Sequence, residues 1–139
     1  MNQATVDEIQ TLVAEGQIRN LVALYAQYAD DALVQEWSEL FDEDGLLESG
    51  PTRPKGREAL AQWLTDALRG PKLRHLTLNT AIVLDSATEA HGSSDLVVLA
   101  AMEGAWTVVA TARYADRFVK TAGGWRFAER VLTRRDAAG

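Results

Sequence analysis

Apolar residues in the first third of the chain recur at three- and four-residue steps. Ile18, Leu21, Val22, Tyr25, Tyr28 and Ala29 form one stripe, which predicts a long first helix. Thr5 followed by Glu8 has the spacing of a capping box and is expected to open that helix. Leu33, Trp37, Leu40 and Phe41 predict a short second helix over about 34–42. Leu60, Trp63, Leu64, Ala67 and Leu68 predict a third over about 57–69, ended by Gly70-Pro71. Between the second and third, "DEDG" (42–45) reads as a stop and turn, "LLES" as a short strand, and "GPTRPKG" (50–56) as a loop.

From about residue 72 the period changes from helical to alternating. Residues 72–85, 89–102, 105–121 and 125–134 read as strands, separated by the turn-forming stretches "DSAT", "EG" and "AGG". Three helices followed by a run of antiparallel strands is an α+β pattern. With no internal repeat and no linker, one domain over 1–139 is expected. In "DLVVLAAM" and "WTVVATA" both alternating faces are apolar or small, so the middle of the sheet is expected to be covered on both sides. The helices cover one side, and a second copy of the chain is the economical cover for the other.

The strand "LRHLTLN" (73–79) holds one of the two histidines. Alternation puts His75, Thr77, Asn79, Ala81 and Val83 on one face, polar at one end and apolar at the other. That is the make-up of a pocket with a polar mouth and an apolar floor. The plain alternative is a half-buried structural histidine.

Composition narrows the chemistry. Lys and Arg number 14 against 20 Asp and Glu, a net charge of −6, and no basic run is longer than "TRRD" (133–136). Nucleic acid and anionic membrane surfaces need clustered cations and are poor partners for such a chain. The absence of cysteine excludes disulfides, thiolate catalysis and cysteine-ligated zinc. The first residues lack a signal-peptide pattern and no apolar run has transmembrane length, so a cytoplasmic location is expected. Dinucleotide, phosphate-loop, zincin and nucleophile-elbow motifs are missing, and two histidines 16 residues apart make a poor metal site; no cofactor and no metal is expected.

Other candidates carry weaker signals. Asp30 and Asp31 end the first helix, where a carboxylate beside an imidazole would orient it as a base. Helical geometry puts both off the centre of the apolar stripe, Asp31 on the far side from Tyr25, and does not choose between them. Alternation in the last strand puts Arg126, Ala128, Arg130 and Leu132 on one face and Trp125, Phe127, Glu129 and Val131 on the other. Arg130 there either clamps an anion or pairs at a sheet edge near Glu129, the commoner use. His91, among turn formers, is expected to be exposed and structural. Tyr25, Tyr28, Trp37, Trp63, Trp106, Tyr114 and Trp125 serve equally as core or as flat pocket walls.

The order of "IRNLVALYAQYADD", "WSELFDEDGLLE", "KGREALAQWL", "RHLTLN" and "ARYADRFVKTAGGWRFAERVL" resembles the SnoaL-like family of the nuclear transport factor 2-like superfamily, over about residues 18–133. The resemblance implies a cone-shaped α+β barrel, with three helices packed on a strongly curved, mostly antiparallel sheet that encloses a pocket. By pattern it points to scytalone dehydratase-like, hexachlorocyclohexane dehydrochlorinase-like and polyketide cyclase relatives. Ile18, Tyr25 and Asp30 match the family's helix, His75 and Asn79 its strand, and Arg130 its basic residue after Trp-x-Phe.

The resemblance thus implies that Asp30, rather than Asp31, partners His75. It makes His75 a general base and Asp30 its orienter. Arg130, Tyr25, Asn79 and Tyr114 would bind a leaving oxygen, halide or enolate, and Trp63 and Trp106 would be walls for an apolar, cyclic or polyketide-like substrate. The implied outcome is cofactor-independent dehydration, isomerisation or cyclisation, in a homodimer or higher homo-oligomer. The second histidine of the dehydratases has no counterpart here. Two alternatives are a non-catalytic hydrophobic-ligand-binding or dimerisation module of the same fold, and an epoxide hydrolase using Arg113, Asp116 and Asp95.

Overall fold

The computed structural model describes residues 1–135; Asp136, the end of the "TRRD" run, lies outside them. The first apolar stripe is the buried face of α1 (Gln3–Asp30), where Ile18, Leu21, Val22, Tyr25, Ala26 and Ala29 are buried. Its cap differs from the expected one. Asn2 is the N-cap, and its side-chain oxygen accepts from the backbone N–H of Thr5 at 2.9 Å and from the Thr5 hydroxyl at 3.0 Å. Thr5 is therefore inside the first turn, and asparagine supplies the acceptor that orphan helix donors require.

The second helix is shorter than the pattern suggested. α2 spans Val34–Ser38, and Phe41 already belongs to β1 (Phe41–Ser49). The strand absorbs "DEDG" as an irregular stretch: its register with the last strand shifts between Phe41 and Leu46. Gly45 is required there, because a Cβ on it would lie 2.7 Å from the Phe41 side chain. Arg57, opening α3 (Arg57–Ala67), clasps the Phe41 carbonyl from Nε at 3.0 Å and Nη2 at 2.8 Å. These are tertiary contacts, so a local turn signal could not foretell them.

The remaining strands are β2 (Leu73–Leu84), β3 (Glu89–Met102), β4 (Ala105–Thr121) and β5 (Gly124–Arg134), close to the expected segments. The sheet order is β1-β5-β4-β3-β2, with β1 parallel to β5 and the other pairs antiparallel. The sheet curls over the helices without closing, β1 and β2 remaining as edges, so the expected barrel is an open one. The core gathers Ile18, Trp37, Phe41, Leu60 and Phe127, all fully buried, between α1, α2, α3 and the concave face.

Register breaks redirect side chains. In β2 the break lies between Leu78 and Ala81, with Asn79 at φ 55°. In β5 it opposes Arg117 and Phe118, so that Phe127 and Arg130 are both buried although alternation had put them on opposite faces. An extra residue in one strand of a pair produces this exchange of faces.

Candidate active site

Asp30 is the last residue of α1, and β2 runs past that end of the helix. The Asp30 carboxylate accepts from the backbone N–H of His75 at 3.2 and 3.0 Å, and its Oδ1 lies 2.6 Å from His75 Nδ1. Three contacts from one residue fix both the carboxylate and the ring. With Nδ1–H donated to Asp30, the lone pair of the neutral imidazole is on Nε2. The side chains are 21% and 17% exposed, so the pair is neither sealed in the core nor washed by bulk water.

The pair lies in the wall of a cavity of about 910 Å³. Tyr25, Trp37, Trp63 and Tyr114 line it, along with Leu96, Val98 and Leu132. Trp63 stacks on Trp37 at a centroid distance of 6.0 Å and 16° between planes, and its Nε1–H donates to Thr52 Oγ1 at 3.2 Å. The apolar, aromatic lining and few polar groups are those of a small-molecule site.

His75, Asp30, Tyr25, Tyr114 and Trp63 converge as expected, but three other expected residues do not line the cavity. Asn79 sits at the register break and donates its amide to Asp95 Oδ2 at 2.9 Å. Beyond it the inward residues are Thr80, Ile82 and Leu84, not Asn79, Ala81 and Val83; Val83 is 52% exposed. Trp106 lies on the convex face, with Arg74 5.9 Å from its ring. Arg130 is fully buried behind the cavity wall, its Nε and Nη2 donating to the Asp116 carboxylate at 2.8 and 3.1 Å.

The epoxide hydrolase set does not assemble. Arg113 pairs with Asp95 at 2.8 Å, while Asp116 faces inward to Arg130. His91 is exposed and contacts Asp85 at 2.9 Å, as its position among turn formers suggested. Among the described residues, no group of three or more His, Asp or Glu is placed to hold a metal ion.

Ser49, Lys72 and Arg134 escaped notice in the sequence and also line the cavity, as does Asp31, which was weighed there only as a partner for the imidazole. Only Arg134 had a signal, since it alternates with Leu132 on the face that Arg130 shares.

Burial sets the protonation of the phenols. Desolvation pushes Tyr25 well above its ordinary 10.0, and the neighbouring Tyr114 adds to this while Arg130 opposes it. Desolvation likewise raises Tyr114, with Arg130 pulling the other way. Both are therefore neutral hydrogen-bond donors near neutral pH. Burial works against the Arg130 charge, but Asp116 and Tyr114 more than offset it and hold the group above its usual value.

The SnoaL-like domain profile matches residues 10–131. The chain belongs to the SnoaL-like domain family. Among solved structures, this SnoaL-like chain is similar to a nuclear transport factor 2-like protein with a cystatin-like fold from Novosphingobium aromaticivorans. They share 24% identity and a TM-score of 0.89, over 97% of this chain and 90% of that one. It is also similar to Rv3472, a protein of unknown function from Mycobacterium tuberculosis, solved as a single-site variant. The identity is 28% and the TM-score 0.86, over 91% and 79% of the two chains. A third, ActVI-ORFA from Streptomyces coelicolor, shares 21% identity with a TM-score of 0.78, over 88% and 98%. None of the curated proteins matches the chain. The SnoaL-like fold sets the frame, and function has to be argued from the site.

Proposed function

We propose that this SnoaL-like protein is a cofactor-independent enzyme that removes a proton beside a carbonyl in an apolar, cyclic substrate. The observation that supports this most directly is the 2.6 Å contact between His75 Nδ1 and Asp30 Oδ1 at the wall of an aromatic-lined cavity. His75 Nε2 takes the proton from the carbon, the C–H electron pair becomes the carbon–carbon π bond of an enolate, and the carbonyl oxygen takes the charge. Asp30 holds the tautomer and balances the imidazolium. The enolate collapses by expelling a β-hydroxyl, which leaves as water with the proton from the imidazolium, or it takes that proton back at another carbon. Dehydration and isomerisation thus share their first step, as does an enolate-driven cyclisation.

The reading is tested by α-deuterium exchange of 2-tetralone, an apolar bicyclic ketone, followed by proton NMR in D2O. Wild type is expected to accelerate the exchange, and His75→Ala and Asp30→Asn to lower it by ~10²–10⁴-fold. Variants that exchange as fast as wild type, or a wild type that binds the ketone without exchange, would overturn it in favour of a binding module.

The convex face supports a second element of the proposal, a homodimer. Leu76 and Leu78 of β2 and Val108 of β4 are 38%, 42% and 58% exposed on the face opposite the cavity, beside Trp106. An apolar face of this kind marks an interaction surface, and a second copy is the simplest partner.

A further inference from the structure

The dyad stands at one edge of the sheet, on β2, and the cavity reaches to the other edge. Leu47 and Ser49 of β1 line it as well as His75. β1 and β2 are the outer strands of the five-stranded sheet, so four interstrand steps separate them, about 19 Å along the curl at ~4.8 Å per step. The floor between them is apolar: Leu96 and Val98 on β3, Ala110 and Ala112 on β4, Leu132 on β5. A ligand that fills this space is elongated, with one end at His75 and the other at Ser49.

Ser49 is the polar side chain at that far end of β1. Alternation turns Leu47 and Ser49 inward, while Glu48 between them pairs with Arg53 at 2.9 Å in the open. Ser49 stands opposite Leu132, itself a cavity residue. It is half-buried, and its hydroxyl has no hydrogen-bond partner among the described residues. A hydroxyl set in an apolar wall is satisfied only by what the cavity holds, water or a polar group of the ligand.

The wall around Ser49 is tied down. Thr52 donates its hydroxyl to the Ser49 carbonyl at 2.7 Å and accepts from Trp63 Nε1 at 3.2 Å. The backbones of Ser49 and Thr52 exchange two more hydrogen bonds, at 2.9 and 3.1 Å, around a turn opened by Gly50 at φ 58°. Thr52 thus joins the end of β1 to Trp63 of α3.

Resting on the dyad reading for the reacting end, we propose that Ser49 is a specificity-determining residue whose hydroxyl hydrogen-bonds a second oxygen of the substrate, remote from the carbonyl. Thr52 is a positioning residue that acts through Ser49 and Trp63. The substrate class follows: an elongated, apolar ring system with a ketone at the His75 end and a hydroxyl or carbonyl oxygen at the other. Ser49 selects the ligand and takes no part in the proton abstraction, whose electron and proton balance is that of the dyad.

The probes are 6-(4-hydroxyphenyl)-2-tetralone and 6-phenyl-2-tetralone, which differ by one remote hydroxyl. Their dissociation constants are measured by calorimetry, with folding of each variant checked by circular dichroism. Wild type is expected to bind the hydroxylated ketone about three- to tenfold more tightly, the worth of one hydrogen bond. Ser49→Ala should abolish this preference, and Ser49→Thr, which keeps a hydroxyl, should retain part of it. Thr52→Val should weaken both ketones and reduce the preference, where a merely structural residue would lower stability and leave the preference as it was. A wild type that binds neither ketone or prefers neither, or a folded Ser49→Ala that keeps the full preference, overturns the proposal. An undiminished preference in folded Thr52→Val overturns the role given to Thr52. His75→Ala separates the two readings: it should stop exchange while the preference persists. A wild type that shows the preference but exchanges neither ketone defeats the dyad and supports Ser49.

Discussion

Asp30 shows how much one side chain at a helix end decides. It accepts from the His75 backbone and contacts the His75 ring, so the strand and the imidazole are placed by one carboxylate. Asp31, one residue on, caps the helix and lines the mouth of the same cavity. The two differ by a rotation of about 100° at the end of α1. Helical geometry alone could not name the partner, because β2 arrives there from 45 residues away.

At this scale two further outcomes are expected. Because burial raises both phenols, their donor protons are retained above pH 10.0. An acid whose pKa is raised is lost only as pH climbs past the raised value. The pH–rate profile of 2-tetralone exchange should therefore show no falling limb from tyrosine below pH 10.0. Arg130→Met leaves the buried Asp116 without its counter-charge, which costs ~3–5 kcal/mol for a broken buried pair. Urea unfolding of the variant measures this, and Asp116→Leu added to it should recover part of the loss.

Among the elements, the strands were legible nearly to their ends, because alternation and turn residues are local properties. The breaks within them were not. Asn79 at φ 55° turns the face of β2, so the inward series is His75, Thr77, Thr80, Ile82 and not the strict alternation. The same event in β5 brings Phe127 and Arg130 to one side and gives Arg130 its partner across the sheet, Asp116. A register break depends on how two strands pair, and neither strand carries it alone.

β1 is a similar case. Its parallel partner β5 lies at the far end of the chain, and the intervening "DEDG" reads locally as a turn. Gly92 lies opposite Ile82, just past the break in β2, and a Cβ there would stand 2.5 Å from the Ala81 carbonyl. Gly92→Ala should cost ~1–3 kcal/mol by displacing β2, read as a lowered urea midpoint. Asn79→Val should cost a similar ~1–3 kcal/mol, because a β-branched residue resists positive φ, whereas Asn79→Gly keeps the break and most of the stability.

For the whole molecule, the curl of the sheet separates two environments. The concave side holds the core, the cavity and the buried Arg130–Asp116 pair; the convex side carries Leu76, Leu78, Trp106 and Val108 in the open. The expectation that the middle of the sheet is covered twice is met on one side within the chain, and the other side is left exposed by it. Val108→Asp, at the most exposed of these four positions, should shift sedimentation of the protein from dimer to monomer while leaving 2-tetralone exchange per chain unchanged. A wild type that sediments as a monomer at micromolar concentration would remove the dimer.

The sequence by itself determined the α+β class, the buried stripe of α1, the run of antiparallel strands and the cavity side of His75. Each of these rests on periodicity, a property of near neighbours. Resemblance, carried by the order of motifs along the chain, selected Asp30. The tertiary structure alone decided that Arg130 stands behind Tyr114 and not in the cavity, and that Asn79 and Trp106 lie outside it. The physical reason is that register breaks and the parallel pairing of β1 arise between strands. They set which way a side chain faces only once the strands have met.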